Sequence, residues 1–299
     1  MATEATGGEL SSQGALLGAI PPLQVDDRRG RSFPDGRFEV PNERPLHPEM
    51  ALTNRRELLL LGLRESSDRV PLAQDIFDEI AIAIVEGRLV PGAALNSVEL
   101  ARKFGTSRTP VREALAALER QGVIVIPPRR KPYVAYVTLK QMKDIYDLRA
   151  SLFVLASELV IDNRAKEGLS ELWRWQEALE RDAVRDDSDN YLWHNLGFRL
   201  VEVRLSGNEE LQRILGALGI RSLQFRNVSL AQPDRLQQSA EGHRRLLLAY
   251  EAGDKRTAAA ASRQIVMSGY RAIERSGVLA PGRTTDRDGR AQHSTESLP

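Results

Sequence analysis

Between Asn96 and Gly122 two helical patterns stand only two or three residues apart, with a glycine break after each. Asn96 or Ser97 can cap the first, which runs to Phe104 and stops at Gly105. Ser107 can cap the second, SRTPVREALAALERQG, which stops at Gly122. Two helices joined this way make a helix-turn-helix. Ahead of them, Leu72, Ile76, Ile80, Ala83 and Ile84 recur at helical spacing up to the turn EGRLVPGAAL. Behind them, VIVIPP and YVAYV read as short strands joined through RRKP. Three helices followed by a β hairpin predict a winged helix-turn-helix over 67–138.

From Leu139 the strand signal disappears. Helical patterns over 139–161, 168–184, 188–206, 208–229, 233–252 and 254–275 are separated by polar or Gly/Pro breaks, which predicts an all-α bundle over 139–277. The expected class is therefore mainly α, an N-terminal winged helix-turn-helix joined to an all-α helical bundle. Residues 1–66 are rich in Gly, Pro and charge and read as a disordered extension with one short helix near Glu57. Residues 278–299 read as a disordered tail. The longest apolar run, Leu58 to Leu63, is too short to span a bilayer, and the N-terminus lacks a secretory signal. With no cysteine, disulfides and thiol nucleophiles are excluded, and a reducing, cytoplasmic setting is expected.

With 42 basic and 41 acidic residues, the chain can attract a polyanion only through local clustering. Leu100 to Lys131 provides it, with eight basic residues against two acids, Glu113 and Glu119. Arg108 and Arg112 lie four apart, on one face of the second helix, at the end where free N–H groups already favour an anion. Ser107 and Thr109 can reach phosphates, and an arginine can take a guanine edge with two hydrogen bonds. A solvated, capped surface helix is the plain alternative for these residues alone. The preceding helix and the basic hairpin make a DNA-reading end the better account.

The segment IVEGRLVPGAALNSVELARKFGTSRTPVREALAALERQGVIVIPP resembles the DNA-binding half of the GntR family of bacterial transcription regulators. Carried over by position, the resemblance makes Ser107, Arg108, Thr109 and Arg112 DNA-contacting residues. Arg102, Arg129, Arg130 and Lys131 are further candidates for phosphate or minor-groove contact. Lys131 stands where many members have the wing-tip glycine. The C-terminal half is similar to the FCD domain of the FadR-type subfamily, an effector-binding and dimerising module, through MKDIYDLRASL, GFRLVEVRLSGNEEL and EGHRRLLLAYEAGDKRTAAAA.

Many such domains hold a divalent metal with an aspartate, a histidine four residues on, and two histidines about 22 apart. The corresponding residues here are Asn195, Arg199, His243 and Ile265. Only His243 is a good ligand, and a guanidinium would repel the cation it replaces. No family-type metal site and no cofactor are expected. His194, five residues from Arg199, should point away from any such site. Arg199 instead offers a fixed charge for an anionic effector, an organic acid or an acyl-thioester, with Arg149, Asn195 and His243 beside it. Against this stands a pairing of Arg199 with Glu202 or Glu241 in a degenerate cavity. Phe153 replaces the glutamate usual after R-x-x-L, again a sign of a remodelled pocket. Trp173, Trp175, Trp193 and Tyr191 fit a bundle core or dimer interface better than a ligand cavity.

The resemblance implies a homodimeric regulator, a repressor being the commoner mode, whose two winged helices read half-sites of a palindromic double-stranded operator in response to a small molecule. An effector-independent DNA-binding protein whose helical half only dimerises is the second reading. An enzyme is disfavoured, since no nucleophile–base spacing, Gly-rich phosphate loop or complete metal cluster is visible.

Overall fold

A computed structural model describes residues 47–49, 55–63, 71–163 and 166–279. The element order is α1 (Arg55–Leu63), α2 (Pro71–Val85), α3 (Ser97–Lys103), α4 (Arg108–Arg120), β1 (Ile124–Val125), β2 (Tyr133–Val134), α5 (Leu139–Asp162), α6 (Lys166–Arg185), α7 (Ser188–Leu205), α8 (Glu209–Ala217), α9 (Gly219–Leu223), α10 (Arg226–Leu230), α11 (Arg235–Ala252) and α12 (Lys255–Ser276). The chain is thus mainly α, a winged helix-turn-helix followed by a helical bundle.

In the first part α2 and α4 pack through Ile76, Phe77, Ile80 and Ile84 against Val111, Leu115 and Leu118, all at most 3% exposed. Asn96 caps α3 by accepting from the Val98 N–H at 3.0 Å. The hairpin is antiparallel with Ile124 opposite Val134 and Val125 opposite Tyr133, and Ala94 bridges to Tyr133 from the other side. Each strand is two residues long, shorter than the sequence pattern indicates. Pro127, Pro128 and Pro132 have no N–H to extend the ladder. Gly92, at φ +85°, sits against the Tyr136 ring. A Cβ there would lie 2.0 Å from the phenol oxygen, so the turn before α3 requires glycine.

Residues 55–63, grouped with a disordered extension on sequence grounds, do not behave as one. Leu58 and Leu59 of α1 are at most 1% exposed and join the core between α2 and the bundle. Arg56 donates to Asp78, itself 1% exposed, at 2.6 Å and pairs with Asp75. Arg55 bonds Glu86 at 2.5 Å and lies over the Trp193 ring. Leu58 and Leu59 bring apolar area that α2 and the bundle cover, which removes it from water. The rest of 1–66 and 278–299 lies outside the described residues, apart from 47–49 and from Val278 and Leu279, which form a turn.

In the bundle, α5 starts on a capping box in which Thr138 and Gln141 satisfy each other's backbone N–H. It packs along α12, while α6, α7 and α11 form the facing layer. Trp175, Trp193 and Tyr191 are core residues at most 1% exposed, whereas half-buried Trp173 donates its indole N–H to Glu251 at 2.7 Å. Gly197 lets α7 approach Trp175, since a Cβ there would fall 2.2 Å from the ring. The single helix expected over 208–229 is instead three short ones, α8 to α10. Gly216 and Gly219 weaken the helix where it breaks, and the turns let Leu215, Ile220, Leu223 and Leu230 all reach the interior.

Candidate functional site

The cationic end of α4 is built for display. Val111, Ala114, Leu115, Ala117 and Leu118 bury its inner face, so Arg108, Thr109 and Arg112 are held outward. Ser107 occupies the cap position with extended backbone but makes no capping bond, which leaves its hydroxyl and the helix's first N–H groups open to a ligand. Arg102, Ser107, Arg108, Thr109, Arg112, Arg129, Arg130 and Lys131 are all exposed. Among the described residues, no carboxylate pairs with Arg102, Arg108 or Arg112. The wing turn is closed by the Arg130 N–H donating to Pro127 O at 3.3 Å, and Arg129, not Lys131, takes the left-handed backbone, φ 60°. That is the third position of a type II turn, a seat glycine usually fills. The wing therefore presents three consecutive cations.

A second site lies in the bundle, where α5, α7, α10, α11 and α12 surround a cavity of about 30 Å³. Tyr146, Arg149, Asn195, Arg199, Arg226 and Arg235 are among its lining residues, and among the described residues no Asp or Glu lines it. Of the four effector residues expected from sequence, the structure brings Arg149, Asn195 and Arg199 to the cavity wall. His243 stands behind Asn195, its Nδ1 on Ser239 O at 2.7 Å and its Nε2 on Asn195 Nδ2 at 3.2 Å. These partners select the neutral tautomer with the proton on Nδ1, and burial followed by the Arg199 charge pushes the imidazole well below its usual pKa. Ile265 also lines the cavity, so the positions the family uses for metal do converge here.

They do not fit a cation. The Nε2 lone pair of His243 is taken by Asn195, Ile265 has no donor, and Arg199 is a fixed positive charge. Among the described residues, no group of three or more His, Cys, Asp or Glu converges as a metal would require. His194 is directed elsewhere, with Nδ1 on Asp182 at 2.5 Å and Nε2 near Pro48 O.

Arg199 does pair with an acid. Its Nη1 donates to Glu202 at 2.5 Å, and Tyr250 donates to the other Glu202 oxygen at 2.6 Å. The pairing leaves Arg199 Nη2 without a partner, and the guanidinium stacks 4.5 Å over Phe153, with Arg149 5.2 Å from the same ring. Phe153 thus replaces a counter-charge by a bed on which two arginines rest. Arg226, Arg235 and Ser229 are lining residues that sequence reasoning missed. Arg235 lies four and eight residues before Ser239 and His243, hence on the same helix face, and that spacing was the available signal.

No helix among the described residues is long and apolar enough to cross a membrane. The model of the bacterial regulatory proteins of the gntR family matches residues 72–134, and that of the FCD domain matches 144–267. The "Probable D-xylose utilization operon transcriptional repressor" of Paenarthrobacter nicotinovorans is 31% identical over 187 residues, 62% of this chain and 81% of that protein. The uncharacterized HTH-type regulator YdhC of Bacillus subtilis is 32% identical over 146 residues, 48% of this chain and 65% of its own length. The solved structure of Escherichia coli McbR superposes with a TM-score of 0.59 at 25% identity, covering 69% of this chain and 99% of that one.

Proposed function

The chain belongs to the GntR family of bacterial transcription regulators, with a DNA-binding helix-turn-helix followed by an FCD domain, and from that premise we propose a homodimeric repressor that reads a palindromic operator and answers to a small anionic metabolite. The observation that carries the DNA-reading part is the open, acid-free N-terminus of α4, flanked by the exposed cations of α3 and the wing. Arg108 and Arg112 would reach base edges, while Ser107, Thr109 and Arg102 hold phosphates and Arg129, Arg130 and Lys131 follow the backbone or the minor groove. Two-fold symmetry of the protein would match that of the operator. Support for the dimer comes from α5, where Leu148 and Leu155, seven apart, are 46% and 40% exposed beside half-buried Leu152 and Leu159.

The arginine-lined cavity supports an anionic effector rather than a metal or an enzymatic reaction, and its small volume favours a compact ligand over a whole acyl-thioester. Helix α10 is the natural relay. Arg226, Ser229 and Leu230 face the cavity, while Asn227 between them donates to Val85 O at 2.6 Å, at the end of α2. A ligand that moves α10 therefore moves a bond to the DNA-binding part, and its preference between the two arrangements would set operator affinity. Selection of bound sequences from random duplexes, followed by titration of the recovered operator, tests the reading. Arg112→Ala should weaken specific binding about 5- to 150-fold per half-site with the melting temperature unchanged. Equal competition by unlabelled operator against mutant and parent would remove Arg112 from the interface.

A further inference from the structure

Four helices deliver one guanidinium each to the cavity: Arg149 from α5, Arg199 from α7, Arg226 from α10 and Arg235 from α11. Glu202 offsets Arg199. Among the described residues no carboxylate offsets the other three. Arg149 and Arg235 are at most 6% exposed, and Arg149 is anchored by donating Nη1 to Ser222 Oγ at 2.8 Å, a neutral partner. Burial and the neighbouring cations lower Arg149 to about 10 and Arg226 to about 9, so both remain charged near neutral pH. Arg149 Nε, Arg199 Nη2, Arg235 Nε and Ser229 Oγ are buried and make no hydrogen bond. An unpaired buried charge costs on the order of several kcal/mol, a large part of a domain's net stability. Arg149 and Arg235 are two such charges and half-buried Arg226 adds a third beside them, so a ligand that offsets them must bring more than one negative charge.

Shape narrows the class further. A carboxylate is planar and carries a single charge, so it offsets one of the three arginines. Cations arriving from separate helices surround a volume, which suits a tetrahedral group accepting hydrogen bonds on all sides. A phosphate carries about 1.5 to 2 negative charges near pH 7 and three or more strong acceptor oxygens. About 30 Å³ of open space admits a few water-sized groups, the dimension of such a head group.

We propose that the cavity, taken as the effector site argued above, binds a phosphate-class dianion through Arg149, Arg226 and Arg235, with Ser229 Oγ and the free Nη2 of Arg199 completing the shell. The family's metal position has become its electrostatic opposite, an anion receptor. Inorganic phosphate and a phosphate monoester share this chemistry.

The test uses the full chain at fixed ionic strength, with thermal unfolding and calorimetric titration against inorganic phosphate, a sugar phosphate, citrate and acetate. Phosphate at a hundredfold excess over its Kd should raise the melting temperature by about 5–10 °C, and acetate should not. Arg226→Gln, the least buried of the three, should raise the melting temperature of the ligand-free protein by about 2–4 °C, because a repelled cation is removed, and abolish the phosphate shift. Arg226→Lys should keep part of it. Greater stabilisation by the sugar phosphate than by inorganic phosphate would identify a monoester, and the reverse would identify the free ion. Stabilisation by citrate or acetate alone, lost in Arg226→Gln, would overturn the phosphate class and leave the effector site standing. No shift from any anion, with Arg226→Gln lowering the melting temperature, would make the arginines structural and overturn both readings. A phosphate shift that survives in both Arg226→Gln and Arg235→Gln would put the binding elsewhere and sink the proposal.

Discussion

Arg108 and Arg112 at the head of α4, and Arg149, Arg226 and Arg235 around the bundle cavity, are the same side chain used under opposite conditions. The first pair is solvated, so water stabilises each charge, and displaying it to DNA costs almost nothing. The second group has lost much of that water without gaining acids in exchange. An exposed cation cluster is thus compatible with function but does not require it. A buried one without acids opposes folding, and is hard to account for without a ligand. The bundle therefore constrains its partner more tightly than the DNA-reading end does.

The contrast breaks most sharply at Glu202, the acid that compensates Arg199. Glu202→Gln should destabilise the protein by about 3–5 kcal/mol in a denaturant titration, because it strands a buried guanidinium and weakens the bond from Tyr250. A loss below about 1 kcal/mol would mean that water reaches Arg199 as freely as it reaches Arg112. A smaller effect lies at the connection between the two regions. Asn227→Ala should cost about 1 kcal/mol of stability and reduce the change in operator affinity that a cavity ligand produces. Unchanged ligand response would show that α10 does not carry the signal. At the solvated end, Arg102→Ala should leave stability within about 0.5 kcal/mol and reduce the slope of log affinity against log salt by about one. A changed unfolding midpoint would place Arg102 in the fold rather than on the phosphates.

A separate effect is in pH. His243 is held neutral in the fold, its pKa lowered by burial and then by Arg199. The unfolded chain binds a proton near pH 6.5 that the folded one refuses, so the stability associated with His243 is complete above that value and declines as pH falls below it. Unfolding free energies at pH 7.5 and at about pH 5 should therefore differ less in His243→Gln than in the parent. An identical difference in both would show that other groups carry the acid sensitivity.

The DNA-reading end was legible because its signals are local. Asn96, Gly105, Ser107 and Gly122 bracket two helices, and the exposed cations lie within one short stretch of chain. The cavity was half legible. Arg149, Asn195 and Arg199 were reached through the family pattern; of the two fates considered for Arg199, the pairing with Glu202 is present, and its Nη2 is buried without a partner. Arg226 escapes the sequence because the pattern over 208–229 indicates one helix, and the breaks at Leu218 and Phe225 change where its side chain is directed. The packing of α1 was missed because its leucines lie in a segment whose composition otherwise indicates disorder, and their burial depends on surfaces that α2 and the bundle supply.

Periodicity, caps and turn residues were enough to settle the helix-turn-helix, the wing and an all-α second half, because each depends on neighbours within a few residues. The charge balance of the cavity was not open to that kind of reading. Whether Arg149, Arg199, Arg226 and Arg235 meet, and whether Glu202 reaches one of them while no acid among the described residues lines the cavity, depends on how separate helices rotate and pack. Electrostatic energy follows distance and burial, and both arise only when those helices come together.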